Sequence, residues 1–243
     1  MHDFTNLAWP EAPFGAEQRP FGKRSAILTA ITFEWRSTAE QAAPVLASVA
    51  TVYLRVRRDG KPLDVSDETL ALGFRASVAE GAADVPALLD LTDRAITRAR
   101  RHAAILVGHR LVDDLERLAH NAPAPLRGIT GLKPEWHARS AKVGGIARMV
   151  DTAYDLATTA ADLQLTTEDD STPNGAHNDA QEALSARHAL CRALTLGMMA
   201  AAHLGRYRWS GAFRTGYAID RLGWDVLASP AFHHENGPFV AHS

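Results

Sequence analysis

The sequence lacks three features, and each absence excludes a class of protein. One cysteine among 243 residues excludes an intramolecular disulfide framework, and the apolar helical pattern around Cys191 predicts a buried thiol in a cytosolic protein. No stretch approaches the roughly 18 consecutive apolar residues of a membrane span, and the N-terminus lacks the hydrophobic core of a signal peptide. A net charge of −2 argues against a protein coated with nucleic acid but allows a local basic groove. We therefore expect a cytoplasmic protein without a membrane segment.

The most informative stretch covers residues 104–118. A short apolar run turns at Gly108-His109 and continues as a helical pattern with Leu111, Leu115 and Leu118 on one side, which predicts a buried strand leading into a helix. Asp114 falls in the first turn of that helix, near the carboxyl end of the strand, where ligand crevices open in α/β sheets. The alternative is that Asp114 only stabilises the helix N-terminus.

The length of 243 residues suits one good-sized domain with additions, or at most two small domains. Strands are predicted over 25–35, 49–58 and 70–78, with a turn at Asp59-Gly60, a helix or loop over 41–48 and a helix over 85–103. A short helix around Trp136, a strand over 148–151 and a long helix over 178–203 follow. We assign 1–24 to an N-terminal arm, 25–203 to the domain and 204–243 to a C-terminal extension. This order is typical of an α/β ribonuclease H-like mixed sheet, in which a three-strand antiparallel meander is joined by parallel strands and flanked by helices.

At three positions the chain resembles the DEDD family of 3′–5′ exonucleases, the DnaQ-like type. The family ends its first strand with Asp-x-Glu, where this chain has Thr32-Phe33-Glu34. Its second motif commonly is Val-Gly-His-Asn with an Asp four residues later, and here Val107-Gly108-His109-Arg110 is followed by Asp114 in that register. Its third motif is a His, four residues and Asp-Ala, and Asp179-Ala180 begins the last long helix here. The resemblance covers about residues 25–200 and rests on order and spacing as much as on identity.

The departures from the family pattern affect the residues that carry its chemistry. Thr32 replaces the first carboxylate, Arg110 replaces an Asn, and Asn174 occupies the position of the family's histidine. His177 lies two residues before Asp179 and is a candidate substitute. The first and third motifs are therefore degenerate.

The resemblance implies phosphodiester hydrolysis from a 3′ end by two divalent metal ions about 3.5–4 Å apart. It implies that Glu34 and Asp179 hold one Mg²⁺ or Mn²⁺ ion and Asp114 the other, with His177 as the candidate general base, a role typically worth about 10²–10⁴ in rate. Loss of the carboxylate at Thr32 removes one ligand, so that one metal can bind more readily than a pair. The implied substrate contacts come from four residues next to these carboxylates: Thr32, Phe33, His109 and Arg110.

Arg110 has two interpretations. It can pair with Asp114 or Asp179 and supply the charge of a missing metal, or it can contact a phosphate directly. The C-terminal mixture of arginines and aromatics also has two interpretations: stacking on single-stranded bases, or aromatics that pack the extension onto the domain beneath solvated arginines. The second is favoured.

Three functional hypotheses follow. The protein is a divergent 3′–5′ exonuclease that acts on a single-stranded 3′ end, or an exonuclease-fold protein with impaired catalysis that binds nucleic acid or a protein partner. In the third hypothesis, the protein is an unrelated α/β protein whose residues match the spacing of the family motifs by chance. A second copy of the chain is also a possible partner. Convergence of Glu34, Asp114 and Asp179 in one cleft would disfavour the third hypothesis.

Overall fold

A computed structural model of the chain describes residues 1–7, 21, 25–37, 44–137, 142–143, 146–151, 156–166, 178–222 and 228–229. The strands in these ranges are β1 His2–Thr5, β2 Ala26–Arg36, β3 Val45–Val56, β4 Leu63–Asp64, β5 Leu72–Val78, β6 Ile105–Gly108, β7 Lys142–Val143, β8 Ile146–Asp151, β9 Leu165–Thr166, β10 Tyr207–Arg208, β11 Phe213–Arg214 and β12 Ala228–Ser229. The helices are α1 Val85–His102, α2 Leu111–Asn121, α3 Arg127–His137, α4 Leu156–Asp162, α5 Asn178–His203 and α6 Thr215–Asp220. No helix within the described ranges is long and apolar enough to cross a membrane.

The described strands build one mixed sheet in the order β12-β1-β5-β3-β2-β6-β8-β7, with two small two-stranded pairs beside it. β2, β3 and β5 form an antiparallel meander, and β6 and β8 run parallel to β2. The predicted α/β class, with antiparallel and parallel strands in one sheet flanked by helices, is confirmed.

The sheet has a helical layer on each face because its central strands are apolar on both faces. Along β2, Leu28 and Ala30 belong to the core beneath α5, whereas Ile31 and Phe33 belong to the core beneath α1, α2 and α3. This alternation is the two-residue period of a strand. Strands buried on both faces lose the polar alternation of a surface strand, which explains the near-continuous apolar runs in the sequence.

β3 begins earlier than the sequence suggested. The predicted helix or loop over 41–48 is wrong for residues 45–48, because Val45 and Leu46 pair with Arg36 and Trp35 at the end of β2. Ser48 lies opposite Glu34 in the regular register, and the register then shifts between Glu34 and Trp35, as in a β-bulge, which brings Leu46 opposite Trp35.

Described residues of both segments that flank the assigned domain contribute to the folded body. Within the segment assigned to an N-terminal arm, β1 pairs with β5, and the Arg75 guanidinium donates to both carboxylate oxygens of Asp3 at 2.9 and 2.7 Å. After α5, Tyr207 and Phe213 are buried, which confirms for these two residues that aromatics pack the C-terminal extension onto the domain.

We predict that Gly128→Ala destabilises the contact between α1 and α3. A Cβ atom at Gly128 would lie 2.5 Å from the carbonyl oxygen of Asp93 and 2.6 Å from Oγ1 of Thr97. The resulting displacement should cost about 1–3 kcal/mol and should outweigh the gain of about 1 kcal/mol in helix propensity. Urea denaturation measures the difference. Gly81→Ala is the control, since nothing lies within 4 Å of its added Cβ; equal stability of both variants and the wild type would contradict the prediction.

Candidate functional site

A cleft of about 500 Å³ opens where the parallel strands β2 and β6 end. This is the edge at which α/β sheets bind ligands, because the chain leaves the sheet there in loops and helix N-termini. The described residues that line the cleft come from β2, from the β6–α2 turn, from α2 and from α5: Ile31, Thr32, Phe33, Glu34, Trp35, His109, Arg110, Asp113, Asp114, Arg117, His188 and Arg192. Glu34 and Asp114, two of the three predicted carboxylates, therefore lie in one cleft.

Both carboxylate oxygens of Glu34 already have partners. Oε2 accepts a hydrogen bond of 3.0 Å from Ser48 Oγ, and Oε1 lies 3.0 Å from His188 Nδ1 and 3.8 Å from Arg192 Nη1. Burial alone would raise the pKa of Glu34, but the hydrogen bonds from His188 and Ser48 and the charges of His188 and Arg192 lower it below its usual value. Glu34 is therefore ionised at neutral pH, and Nδ1 of His188 donates to it, since an ionised carboxylate only accepts.

The pKa of Asp114 is shifted in the opposite direction to that of Glu34. Trp35 Nε1 donates a hydrogen bond of 2.8 Å to its Oδ1. Burial raises the pKa of Asp114 to about 6, against the lowering effects of that hydrogen bond and of the Arg117 and Arg192 charges. One carboxyl group of the cleft is thus fully ionised at neutral pH, while the other still titrates near pH 6.

Arg110 binds Asp113 and not Asp114. Its Nε donates to Asp113 Oδ2 at 3.0 Å, and its side chain is 68% exposed. The pair between Arg110 and Asp114 is therefore wrong. The physical reason is the backbone: Arg110 has a φ of 49°, in the left-handed region, immediately before α2. From there its side chain meets the exposed carboxylate of the first helical turn. The side chain of Asp179, the other partner expected in that interpretation, lies outside the described part of the structure.

Three more predicted residues have distinct positions. Thr32 is 6% exposed, and its hydroxyl donates to the carbonyl oxygen of Ala189 at 3.2 Å, so it joins β2 to α5. Phe33 is buried in the core beneath α1 and also contributes to the cleft wall. His109 lines the cleft next to Arg110.

The third motif is described only in part. Asp179 is the second residue of α5, as predicted from the Asp-Ala pattern, but its side chain lies outside the described part of the structure, as does the whole of His177. Their catalytic and metal-binding roles therefore stay predictions.

Sequence reasoning missed His188, Arg192, Trp35 and Arg117 as residues of the site. His188 and Arg192 are four residues apart on α5, so both project from one face of the helix towards Glu34. The Arg117 guanidinium lies 5.8 Å from the centre of the Trp35 ring. For His188 and Arg192, the one signal in the sequence was the interruption of the apolar helical pattern by polar residues around position 190.

The described donors do not fit a divalent metal ion. Mg²⁺ and Mn²⁺ need oxygen ligands that point at a common position, yet both oxygens of Glu34 are occupied and its Oε1 faces two nitrogen side chains. The Thr32 hydroxyl is directed to a backbone carbonyl group. Among the described residues, no group of three or more His, Cys, Asp or Glu side chains is arranged to hold a metal.

The cleft thus combines three arginines, two histidines and three carboxyl groups at the ligand-binding edge of a mixed α/β sheet. No protein-family model matches the chain, and no curated protein matches it in sequence.

Proposed function

We propose that this protein has a ribonuclease H-like, exonuclease-related fold and binds the end of a single-stranded nucleic acid in the cleft between Glu34 and Asp114, with little or no hydrolysis. One observation carries the proposal. The cleft stands where an exonuclease of the resembling family would hold its metals, but the Glu34 carboxylate is engaged by His188 and Arg192.

The sheet supports the fold part of the proposal. In the family that the chain resembles, we expect an antiparallel meander whose first strand is followed across the sheet by two parallel strands. The strand order β5-β3-β2-β6-β8 agrees with this arrangement. Glu34 stands near the end of the first meander strand, and Asp114 stands in the helix after the first parallel strand. These are the positions that the two family motifs require.

The cations of the cleft support nucleic acid as the ligand. Guanidinium groups bind phosphate oxygens through paired hydrogen bonds, and aromatic rings stack on bases. Arg117, Arg192 and Trp35 all line the cleft, which thus offers groups for both kinds of contact. A net charge of −2 on the whole chain is compatible with a local basic site of this kind.

Metal-assisted hydrolysis is the second candidate function. It is favoured by the placement of Glu34 and Asp114 in one cleft, where Asp179 at the start of α5 could complete the ligand set implied by the resemblance. It requires Glu34 to exchange His188 for a metal ion.

The test is binding and degradation of a 5′-fluorescein-labelled single-stranded oligonucleotide with a free 3′ end, in DNA and RNA forms. We expect a rise in fluorescence anisotropy that weakens as salt concentration increases, without shortening of the strand. The double variant Arg117→Ala, Arg192→Ala should bind about 100-fold more weakly, because each of the two lost charged contacts costs about a factor of 10. The matched control is Arg208→Ala, whose exposed side chain pairs with Asp64 outside the cleft.

Two outcomes contradict this proposal in different ways. Shortening in Mn²⁺ that disappears in the double variant Asp114→Ala, Asp179→Ala would establish the exonuclease instead. Absence of binding to both oligonucleotides would overturn the nucleic-acid proposal altogether.

A further inference from the structure

The charge around Glu34 matches that of a bound metal ion. Arg192 supplies a charge of +1, and His188 adds a second when its ring is protonated. Both approach the same oxygen, Oε1, at 3.8 and 3.0 Å. Up to two positive charges therefore surround one oxygen of a carboxylate that the resemblance assigns to a divalent cation.

Resting on the proposed function, we infer that Arg192 and His188 take the place of a divalent cation in this cleft and bind a phosphate group of the nucleic acid directly, so that binding needs no metal. The phosphate replaces Glu34 as the partner of the guanidinium group, and Glu34 stays bound to Ser48.

The positions of the two side chains permit this exchange. His188 is 53% exposed and Arg192 is 40% exposed, whereas Glu34 is only 19% exposed. The cations are thus held at the cleft surface by a more deeply placed carboxylate. The Arg192 charge also acts on Asp114, so its guanidinium lies within electrostatic range of both carboxyl groups.

Both cations are carried by α5, a helix that is held firmly against the sheet. The backbone carbonyl of Ala189, next to His188, accepts the Thr32 hydroxyl at 3.2 Å. Ala189 and Leu190 are fully buried, and so is most of the helix that follows Arg192. A cation supported in this way is pre-organised for a phosphate in the absence of any metal.

The inference predicts opposite signs for two substitutions. Glu34→Gln keeps the size of the side chain and removes the charge that competes with phosphate, so the affinity for the oligonucleotide should rise about 3–10-fold. Arg192→Ala should lower the affinity about 10-fold. If Glu34 instead holds a metal that binds the phosphate, Glu34→Gln should weaken binding, as Arg192→Ala does.

The experiment measures anisotropy of the 5′-fluorescein-labelled oligonucleotide with wild type, Glu34→Gln, Arg192→Ala and Arg208→Ala, each in EDTA and in MgCl₂, with circular dichroism to verify folding. We expect wild-type affinity in EDTA within about 2-fold of that in MgCl₂, and the two opposite shifts. Wild-type binding that requires MgCl₂, or weaker binding by folded Glu34→Gln, would overturn this inference and leave the proposed function intact. Absence of wild-type binding in both buffers would overturn both.

Discussion

Replacing Asp114 by asparagine should stabilise the protein at pH 8 by up to about 3 kcal/mol. The reason is burial, which raises the pKa of Asp114 from 3.8 to about 6. Asparagine keeps an oxygen that can accept the hydrogen bond from Trp35 Nε1. It has no charge to desolvate, so it avoids the cost that the aspartate carries once it is ionised.

The sign follows from the direction of the pKa shift. Because the pKa of Asp114 is higher in the folded protein than in the unfolded chain, its contribution to stability is fully present below the unfolded value near 3.8 and is lost as the pH rises through about 6. The stability difference between Asp114→Asn and the wild type should therefore grow between pH 4 and 6 and reach a plateau above pH 7.

Urea denaturation of both proteins at pH 4, 6 and 8 measures this difference, and all other titrating groups cancel between them. Asp113→Asn is the control, because Asp113 is 47% exposed and pairs with Arg110 at the surface, where an ion pair is worth about 0–1 kcal/mol. Lower stability of Asp114→Asn at pH 8 would show instead that the folded cleft favours the charged carboxylate.

The sequence predicted those parts of the fold that local patterns determine. The long helix has the predicted bounds, Asn178–His203, because it combines an apolar pattern with polar, turn-forming residues before it. The strand and helix on either side of Gly108-His109 were also predicted, since a buried apolar run, a small residue and a helical leucine pattern follow one another. Each of these signals lies within a few residues of the element that it specifies.

The predictions failed where an element depends on distant partners. The start of β3 is a strand because Trp35 and Arg36 extend beside it. Helix α3 covers eleven residues, Arg127–His137, instead of a short piece around Trp136. Within this helix, Gly128 and Gly131 allow close contact with α1.

The same distinction applies to the site. Glu34 and Asp114 could be predicted because each lies near the end of a strand, where a local pattern and a known motif coincide. His188 could not be predicted, because it meets Glu34 across 154 positions of sequence. Which face of α5 turns towards β2 depends on how the helix packs on the sheet, and the apolar pattern alone does not fix that orientation.

The packing of α5 on the sheet should therefore dominate stability, and Phe74→Ala should cost about 3–5 kcal/mol. Phe74 on β5 is completely buried in the core that also contains the inner face of α5. The helix cannot easily move to fill the cavity, because Gly197 already approaches the sheet: a Cβ added there would lie 3.0 Å from Leu54 Cδ1. Most of the volume vacated by the Phe74 ring would thus remain as a cavity.

Urea denaturation at pH 7 measures the loss, and Leu184→Ala is the matched control on α5, because Leu184 is 37% exposed. We expect the control to change stability by less than about 1 kcal/mol. A domain of this size is typically stable by about 5–15 kcal/mol, so Phe74→Ala should remain folded at low temperature but unfold at much lower urea. Equal losses in the two variants would mean that α5 is not held by this core, and the rigid support proposed for His188 and Arg192 would have to come from elsewhere.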